Sequence, residues 1–191
     1  NNELITNQLT NTLTFNKKIS NDLNLNAVAG YEYMKFVNRG AGVSGQDFID
    51  VGIPYTNMLQ FTTQGTRGVG SFAPPVSELQ SYFGRAILNF RDKYVFTATF
   101  RADGSSKFGE NNKYGYFPSF AASWNVGEED FLRNSNLFSS MKLRASWGQT
   151  GNQEFPAGAS QAQFSFTGPG RFEETQQANP DLKWEKTTQY N

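Results

Sequence analysis

The chain lacks two residue types entirely, because its 191 residues include no cysteine and no histidine. Without cysteine it forms no disulfide, offers no thiolate nucleophile and cannot build a cysteine-ligated zinc site. Without histidine it lacks the side chain that most often serves as general base or metal ligand near neutral pH. The two absences exclude the commonest catalytic and metal-binding sites.

An excess of charge of one sign is also missing, because 17 Lys and Arg residues balance 17 Asp and Glu residues. This balance gives no indication of binding to nucleic acid or to an anionic membrane surface. No apolar run approaches the ~18 residues of a transmembrane helix. The first ten residues, NNELITNQLT, lack the basic and apolar regions of a signal peptide. Both ends stop within an alternating pattern, so we expect a fragment of a longer chain.

Aromatic side chains in alternating order are what the chain has in quantity. Aromatics make up 15% of the residues, although hydrophobic residues reach only 37%. In several segments apolar or small residues alternate with polar residues, which predicts strands with one apolar and one polar face. These segments are residues 3–16, 23–37, 79–90, 94–102, 114–126, 141–147 and 182–191. In the fourth segment Phe96 and Phe100 share one face, and Thr97 and Thr99 share the other.

The connections between these strands alternate in length. The shorter connections are 16–22, 91–93 and 127–140, and the longer ones are 38–78, 103–113 and 150–181. Alternate connections of an antiparallel meander lie at the same end, and transmembrane β-barrels have short turns at one end and long loops at the other. We therefore predict an all-β, antiparallel up-and-down meander of about seven strands. Residues 1–191 would form one partial domain of a large transmembrane β-barrel, without a plug domain.

One predicted face suits contact with lipid, and the other suits contact with water. Tyr and Trp lie near the strand ends on the apolar face, where amphipathic rings suit a membrane interface. The polar face carries Glu32, Arg85, Arg101, Lys142 and Arg144, which a water-filled lumen accommodates and an apolar core does not. Periodicity alone leaves a second interpretation open, a soluble β-sandwich with the apolar face as its core.

Long ordered motifs carry a family resemblance. They are YFGRAILNFRDKYVFTATF, FRADGSSKFGENNKYGYFPSFAASWNVGEEDFL, LRASWGQTGNQ and NPDLKWEKTTQYN, in that order along the chain. Together they resemble the SusC/RagA family of TonB-dependent outer-membrane transporters. The resemblance implies a 22-stranded barrel closed by a plug, of which this chain would supply roughly a third of the wall. The family's plug and TonB-contacting box match no residue here.

The resemblance also implies a function and partners. It implies TonB-driven import of a glycan or peptide oligomer across the bacterial outer membrane, with a SusD-like surface lipoprotein as lid and outer-membrane lipid around the barrel. A soluble β-sandwich carbohydrate-binding module is the alternative from another class, and an outer-membrane hydrolase would need a carboxylate pair that no motif fixes. We expect no enzyme activity, no cofactor and no metal. The segment DGSSKFGENN from Asp103 fits a calcium loop poorly, because Lys107 takes its fifth position.

Two groups of residues are candidates for contact with substrate. The charged residues of the expected lumen are Arg85, Arg101, Asp103, Lys142 and Arg144. They could contact substrate or plug, or they could only pair with one another along adjacent strands. The aromatic residues of the long loops are Phe48, Tyr55, Phe61, Phe72, Phe155, Phe164, Phe166 and Phe172. They could stack on sugar rings or pack under a partner, or they could hold their own loops in place.

Overall fold

The computed structural model describes residues 1–47, 59–133 and 140–191. Within these ranges the chain forms ten strands, one α-helical turn and four short 3-10 turns. The elements are β1 (Asn2–Lys18), β2 (Leu23–Ser44), β3 (Gly68–Phe72), β4 (Ser77–Phe90), β5 (Tyr94–Ser105), β6 (Tyr114–Asn125), α1 (Asp130–Arg133), β7 (Lys142–Asn152), β8 (Gln163–Gly168), β9 (Arg171–Gln176) and β10 (Glu185–Tyr190). In these ranges no helix has the length and apolar character needed to span a bilayer.

Seven strands form the predicted meander. Their order is β1–β2–β4–β5–β6–β7–β10, and each strand is antiparallel to its neighbours. The connections β1–β2, β4–β5 and β6–β7 therefore share one end, here named the turn end. The connections β2–β4, β5–β6 and β7–β10 share the opposite loop end. The all-β meander is confirmed.

Two loop boundaries differ from the sequence prediction. The strand β2 continues through Ser44, so the connection expected from residue 38 begins later, and β3 pairs with its end from Gly40↔Phe72 to Ser44↔Gly68. Similarly, β7 continues through Asn152, and β8 and β9 form a separate hairpin within 150–181. At 22 residues β2 is about twice as long as the ~9–11 residues that cross a bilayer. Outside the bilayer neither face of a strand has to be apolar, so β2 continues there without alternating polarity.

The β4–β5 connection is a tight turn, as predicted for residues 91–93. Arg91 and Asp92 have positive φ angles of 54° and 55°, and Lys93 N donates to Phe90 O at 3.1 Å. Positive φ at both central residues is the geometry of a type I′ turn, whose twist matches that of the strands. The Asn89 side-chain amide holds this turn by donating to Asp92 Oδ1 at 2.6 Å.

The strand register gathers residues of like polarity into rows. One row reads Ala27, Ala86, Ala98, Phe120 and Trp147 across five strands. This apolar face is bare: Phe96, Phe100 and Phe120 are 54%, 51% and 56% exposed, and no second layer of the described residues packs on it. A soluble β-sandwich would bury these side chains under another sheet.

Buried apolar packing occurs instead at the loop end. Phe108, Phe117 and Trp184 are 1%, 7% and 8% exposed. Leu79, Phe155 and Leu182 pack around them. The cluster joins the β5–β6 loop to the chain that precedes β10, so it stabilises the connections of the sheet.

Candidate functional site

An ion-pair network occupies the loop-end half of the polar face. Arg101 Nε lies 2.8 Å from both Asp103 oxygens, and Arg101 Nη2 lies 3.4 Å from Glu32 Oε2. The same Nη2 donates to Ser81 Oγ at 2.9 Å. The register explains the meeting, because Glu32, Ser81 and Asp103 are direct neighbours across β2, β4 and β5. Arg101 and Asp103, two of the candidates, thus satisfy each other.

The other three charged candidates are arranged differently. No carboxylate of the described residues lies within ion-pairing distance of Arg85, Lys142 or Arg144. Arg85 Nε donates a hydrogen bond to the Thr99 hydroxyl at 3.3 Å. Lys142 and Arg144 alternate along β7 and therefore point to one face, opposite Asn125 and Ser123 of β6.

Lys142 and Arg144 line a shared depression on the polar face. Its volume is about 480 Å³, and its other polar residues are Thr97, Ser123, Ser146 and Asn191, the last residue of the sequence. Arg85 does not line it. Among the described residues, the polar face therefore carries the Arg101 network toward the loop end, whereas Lys142 and Arg144 lie toward the turn end with no carboxylate within ion-pairing distance.

The loop aromatics among the described residues do not converge on one site. Phe155 packs edge-on against Phe108, with ring centroids 5.7 Å apart, and belongs to the buried cluster. The Phe72 ring lies against Gly40 at the β2–β3 pairing. Phe172 is 70% exposed and packs edge-on against Phe166 at 5.5 Å, while Phe61 is half-buried. The exposed Phe164 lies on the same hairpin. Phe48 and Tyr55 lie outside the described residues.

Sequence reasoning missed the contact that holds the loop end together. Gly109 N donates to Leu182 O at 2.9 Å, and Trp184 Nε1 donates to Lys113 O at 3.1 Å. A Cβ on Gly109 would lie only 1.9 Å from Pro180 O, so only glycine permits this approach. The glycine between Phe108 and Glu110 was the available signal, but its partner lies some 70 residues later in the chain.

The apolar face is bounded at the turn end by a carboxylate that binds three donors. Glu129 Oε1 accepts from the Tyr94 hydroxyl at 2.7 Å and from Trp124 Nε1 at 3.0 Å. Glu129 Oε2 accepts from Lys93 Nζ at 3.0 Å. These hydrogen bonds, that of the Tyr94 hydroxyl first, lower the pKa of Glu129 from 4.5 to about 2. The Tyr94 and Trp124 rings are thereby held with their polar atoms toward Glu129.

A matching tyrosine group bounds the apolar face at the loop end. The Gln80 amide nitrogen donates to the Tyr82 hydroxyl at 2.7 Å, and the Tyr114 hydroxyl donates to Gln80 Oε1 at 3.2 Å. Tyr114 reaches Gln80 by crossing Gly104, where a Cβ would lie 2.7 Å from its ring. Tyr31 packs on Tyr82 with centroids 5.2 Å apart. Phenolic hydroxyls on an apolar face are typical of a membrane interface.

The height of the band between these two groups fits a membrane. Eight residues of β5 separate Tyr94 from Ala102, whose neighbours are Tyr82 and Tyr116. Eight residues span ~27 Å along a strand, or ~20 Å of height at a barrel tilt of ~35–45°. Outer-membrane barrels carry an apolar band ~25 Å tall between aromatic girdles. Here the rings, whose hydroxyl-bearing tips extend beyond these strand positions, account for the remaining height.

The sheet and its two faces define a wall segment of an outer-membrane β-barrel. The family profile described as "TonB dependent receptor-like, beta-barrel" matches residues 1–191, and the chain belongs to this family. The resemblance predicted from the motifs is thereby confirmed.

Two curated relatives are similar in sequence. TonB-dependent receptor P3 of Formosa agariphila is 38% identical over 188 residues, which cover 94% of this chain and 18% of that protein. TonB-dependent receptor SusC of Bacteroides thetaiotaomicron is 40% identical over 132 residues, covering 59% of this chain and 12% of that protein. The chain thus spans less than a fifth of either relative's length.

A solved structure is similar in fold. The RagAB peptide importer in its open-open state superposes with a TM-score of 0.85 at 26% identity, covering 99% of this chain and 21% of that chain. The closed-closed state of the same importer gives a TM-score of 0.84. These relatives place the chain in the bacterial outer membrane.

Proposed function

We propose that the whole protein imports a glycan or peptide oligomer across the bacterial outer membrane with energy from TonB. Residues 1–191 supply seven neighbouring strands of the barrel wall and the extracellular loops of the loop end. The observation that carries the proposal is a single sheet with one face suited to lipid and the other suited to water. Its bare apolar face lies between two aromatic rows, and its other face carries polar and charged residues, including the network of Glu32, Arg101 and Asp103.

The proposed partners follow from the family. A SusD-like surface lipoprotein closes the loop end, and the TonB complex acts through parts of the protein outside residues 1–191. Membership of a receptor family supports transport without catalysis, so the proposal includes no enzyme activity. The relatives include SusC and a peptide importer, and the proposal accordingly keeps both substrate classes.

Uptake by living cells tests this function. Cells expressing the full-length protein and its SusD-like lipoprotein receive labelled glycan and peptide oligomers. We expect uptake of one class, its loss when TonB is deleted, and recovery of the protein in the outer-membrane fraction. TonB-independent uptake, or recovery of the protein from the aqueous fraction without detergent, would contradict the proposal. The second result would favour a soluble binding module.

A further inference from the structure

A depression on the apolar face extends from the middle of the apolar band toward the loop end. Its volume is about 380 Å³, and its walls are the rings of Phe100 and Phe120. Its floor consists of the small residues Gly84, Ala86 and Ala98. These residues belong to β4, β5 and β6, which each pair with a strand on both sides, so the shape of the depression does not depend on the outermost strands of the sheet.

The open floor at Gly84 is not required by the backbone. Gly84 is not among the glycines with positive φ, and an added Cβ would meet only the Val28 carbonyl oxygen, at 3.8 Å. Elsewhere in the same sheet, rings of neighbouring residues cover the glycines Gly30, Gly104 and Gly115. No ring of the described residues covers Gly84, so this space is open to an apolar chain from the bilayer.

The tyrosine group lies directly beyond the depression. On the apolar face the row of Ala29 and Gly84 is followed by the row of Tyr31 and Tyr82. Gln80 Nε2 donates to the Tyr82 hydroxyl at 2.7 Å and to the Tyr31 hydroxyl at 3.4 Å. Neither of these two phenols donates a hydrogen bond within the described part of the chain. Two O–H protons are therefore free for acceptors at the membrane interface.

A cation follows the tyrosines on the same face. Lys35 comes two residues after Tyr33 on β2, and its Nζ lies 3.7 Å from Glu78 Oε1. The Tyr33 hydroxyl also donates to Glu78 Oε1, at 3.0 Å. Because Lys35 and Glu78 are 40% and 45% exposed, their ion pair is weak and Lys35 keeps donors for a further anion. The sequence of apolar depression, phenols and cation matches that of acyl chain, carbonyl linkage and phosphate in a membrane lipid.

We propose that this strip of the barrel wall binds a phosphorylated glycolipid of the external leaflet. One acyl chain fills the depression, and the phosphorylated sugar headgroup accepts hydrogen bonds from Tyr31, Tyr82 and Lys35. The amide and hydroxyl of Gln80 and Tyr114 lie beside them and suit the hydroxyls of a sugar, which also donate and accept. The inference rests on the proposed function in one respect, that the loop end faces the outside of the cell.

Lipid binding to the purified, delipidated full-length protein in detergent tests the site apart from transport. Native mass spectrometry measures affinity for three probes: lipid A, its dephosphorylated form and phosphatidylglycerol. One test variant, Gly84→Leu, fills the depression, and the other, Tyr31→Phe combined with Tyr82→Phe, removes only the two hydroxyls. The matched controls Ala122→Leu and Tyr94→Phe make similar changes on the same face toward the turn end. Cooperative thermal unfolding verifies that each variant is folded.

We expect the parent protein to bind lipid A at least tenfold more tightly than either other lipid. Gly84→Leu should weaken lipid A binding at least fivefold and the double tyrosine variant at least threefold, and both controls should stay within twofold of the parent. Equal binding of the three lipids, unchanged affinity in either test variant, or equal losses in the controls would overturn the proposal. A parent dimer that Gly84→Leu dissociates would also overturn it, because a second copy would then occupy the depression. Selective lipid A binding by a protein without TonB-dependent uptake would leave the site standing and contradict the import function.

Discussion

Substituting arginine for two adjacent residues of β5 tests which face of the sheet meets lipid. Ala98 lies four residues from Tyr94 and four from Ala102, so it occupies the middle of the apolar band. Thr99, the next residue, lies on the polar face between Arg85 and Ser119. Because successive strand residues point to opposite faces, the two substitutions place the same charge in lipid or in water.

The expected cost is larger for Ala98→Arg than for Thr99→Arg. Ala98 lies ~10 Å of height from either aromatic row, so Ala98→Arg places its charge near the bilayer midplane and should cost about 2–4 kcal/mol. Thr99→Arg meets the charge of Arg85, and two unit charges ~6 Å apart in water repel by about 0.7 kcal/mol. It also removes the hydrogen bond from Arg85 Nε to Thr99 Oγ1. We expect its total cost to stay below ~1.5 kcal/mol.

Denaturant unfolding of the full-length protein in lipid vesicles measures both costs against the parent. Equal costs, or a larger cost for Thr99→Arg, would mean that the assignment of lipid and water to the two faces is inverted. A one-residue slip of the register would exchange the two results, so the pair also tests the strand pairing.

Three further changes test the Arg101 network, the contact of Gly109 with Pro180, and the hydrogen bonds of Glu129. Replacing Arg101 by Met leaves the buried Asp103 carboxylate unpaired, and we expect a loss of about 1–3 kcal/mol in the same unfolding assay, at the low end because Arg101 is half exposed. Gly109→Ala drives a Cβ into the Pro180 carbonyl, so limited proteolysis should cut the β5–β6 loop severalfold faster. Because folding lowers the pKa of Glu129 from 4.5 to about 2, its stabilising contribution is present above pH 4.5 and is lost as the pH falls toward 2.

Matched controls accompany these variants. Arg85→Met removes a cation that has no carboxylate partner in the described residues and should cost less than ~0.5 kcal/mol. Gly70→Ala adds a Cβ with no atom within 4 Å and should leave proteolysis unchanged. Glu129→Gln should flatten the dependence of stability on pH between 4.5 and 2. An equal loss of stability in Arg85→Met, equally fast proteolysis of Gly70→Ala, or an unchanged pH dependence in Glu129→Gln would contradict the corresponding contact.

The strands that cross the apolar band were predictable from the sequence. In β5 a lipid-facing and a water-facing side force a strict period of two, as Phe96 and Thr97 illustrate. The end of β2 and the strand β3 were missed, because near Gly40 the pairing depends on backbone hydrogen bonds and not on alternating polarity. Periodicity identifies a strand only where its two faces meet different solvents.

The residue types of the candidate site could be predicted from the sequence, but not which of these residues contact one another. The alternation of Lys142 and Arg144 placed both on the polar face, and the mutual pairing of Arg101 with Asp103 was one of two open interpretations. Which charges meet depends on the register between strands, which places Glu32 opposite Ser81 and Ser81 opposite Asp103. The buried contact of Phe108 with Trp184 joins segments far apart in sequence, and local patterns carry no information about such a meeting.

The alternation of short and long connections also sets how the wall assembles and how it can diversify. Four residues close the hairpin of β1 and β2, whereas 32 residues separate β2 from β4. For flexible loops of these two lengths the entropic cost of closure differs by about 1.8 kcal/mol, so we expect the paired hairpins to form first and then to join one another. Each later doubling of a loop adds only about 0.6 kcal/mol, so extracellular connections can lengthen over evolutionary time while the hairpins keep their register.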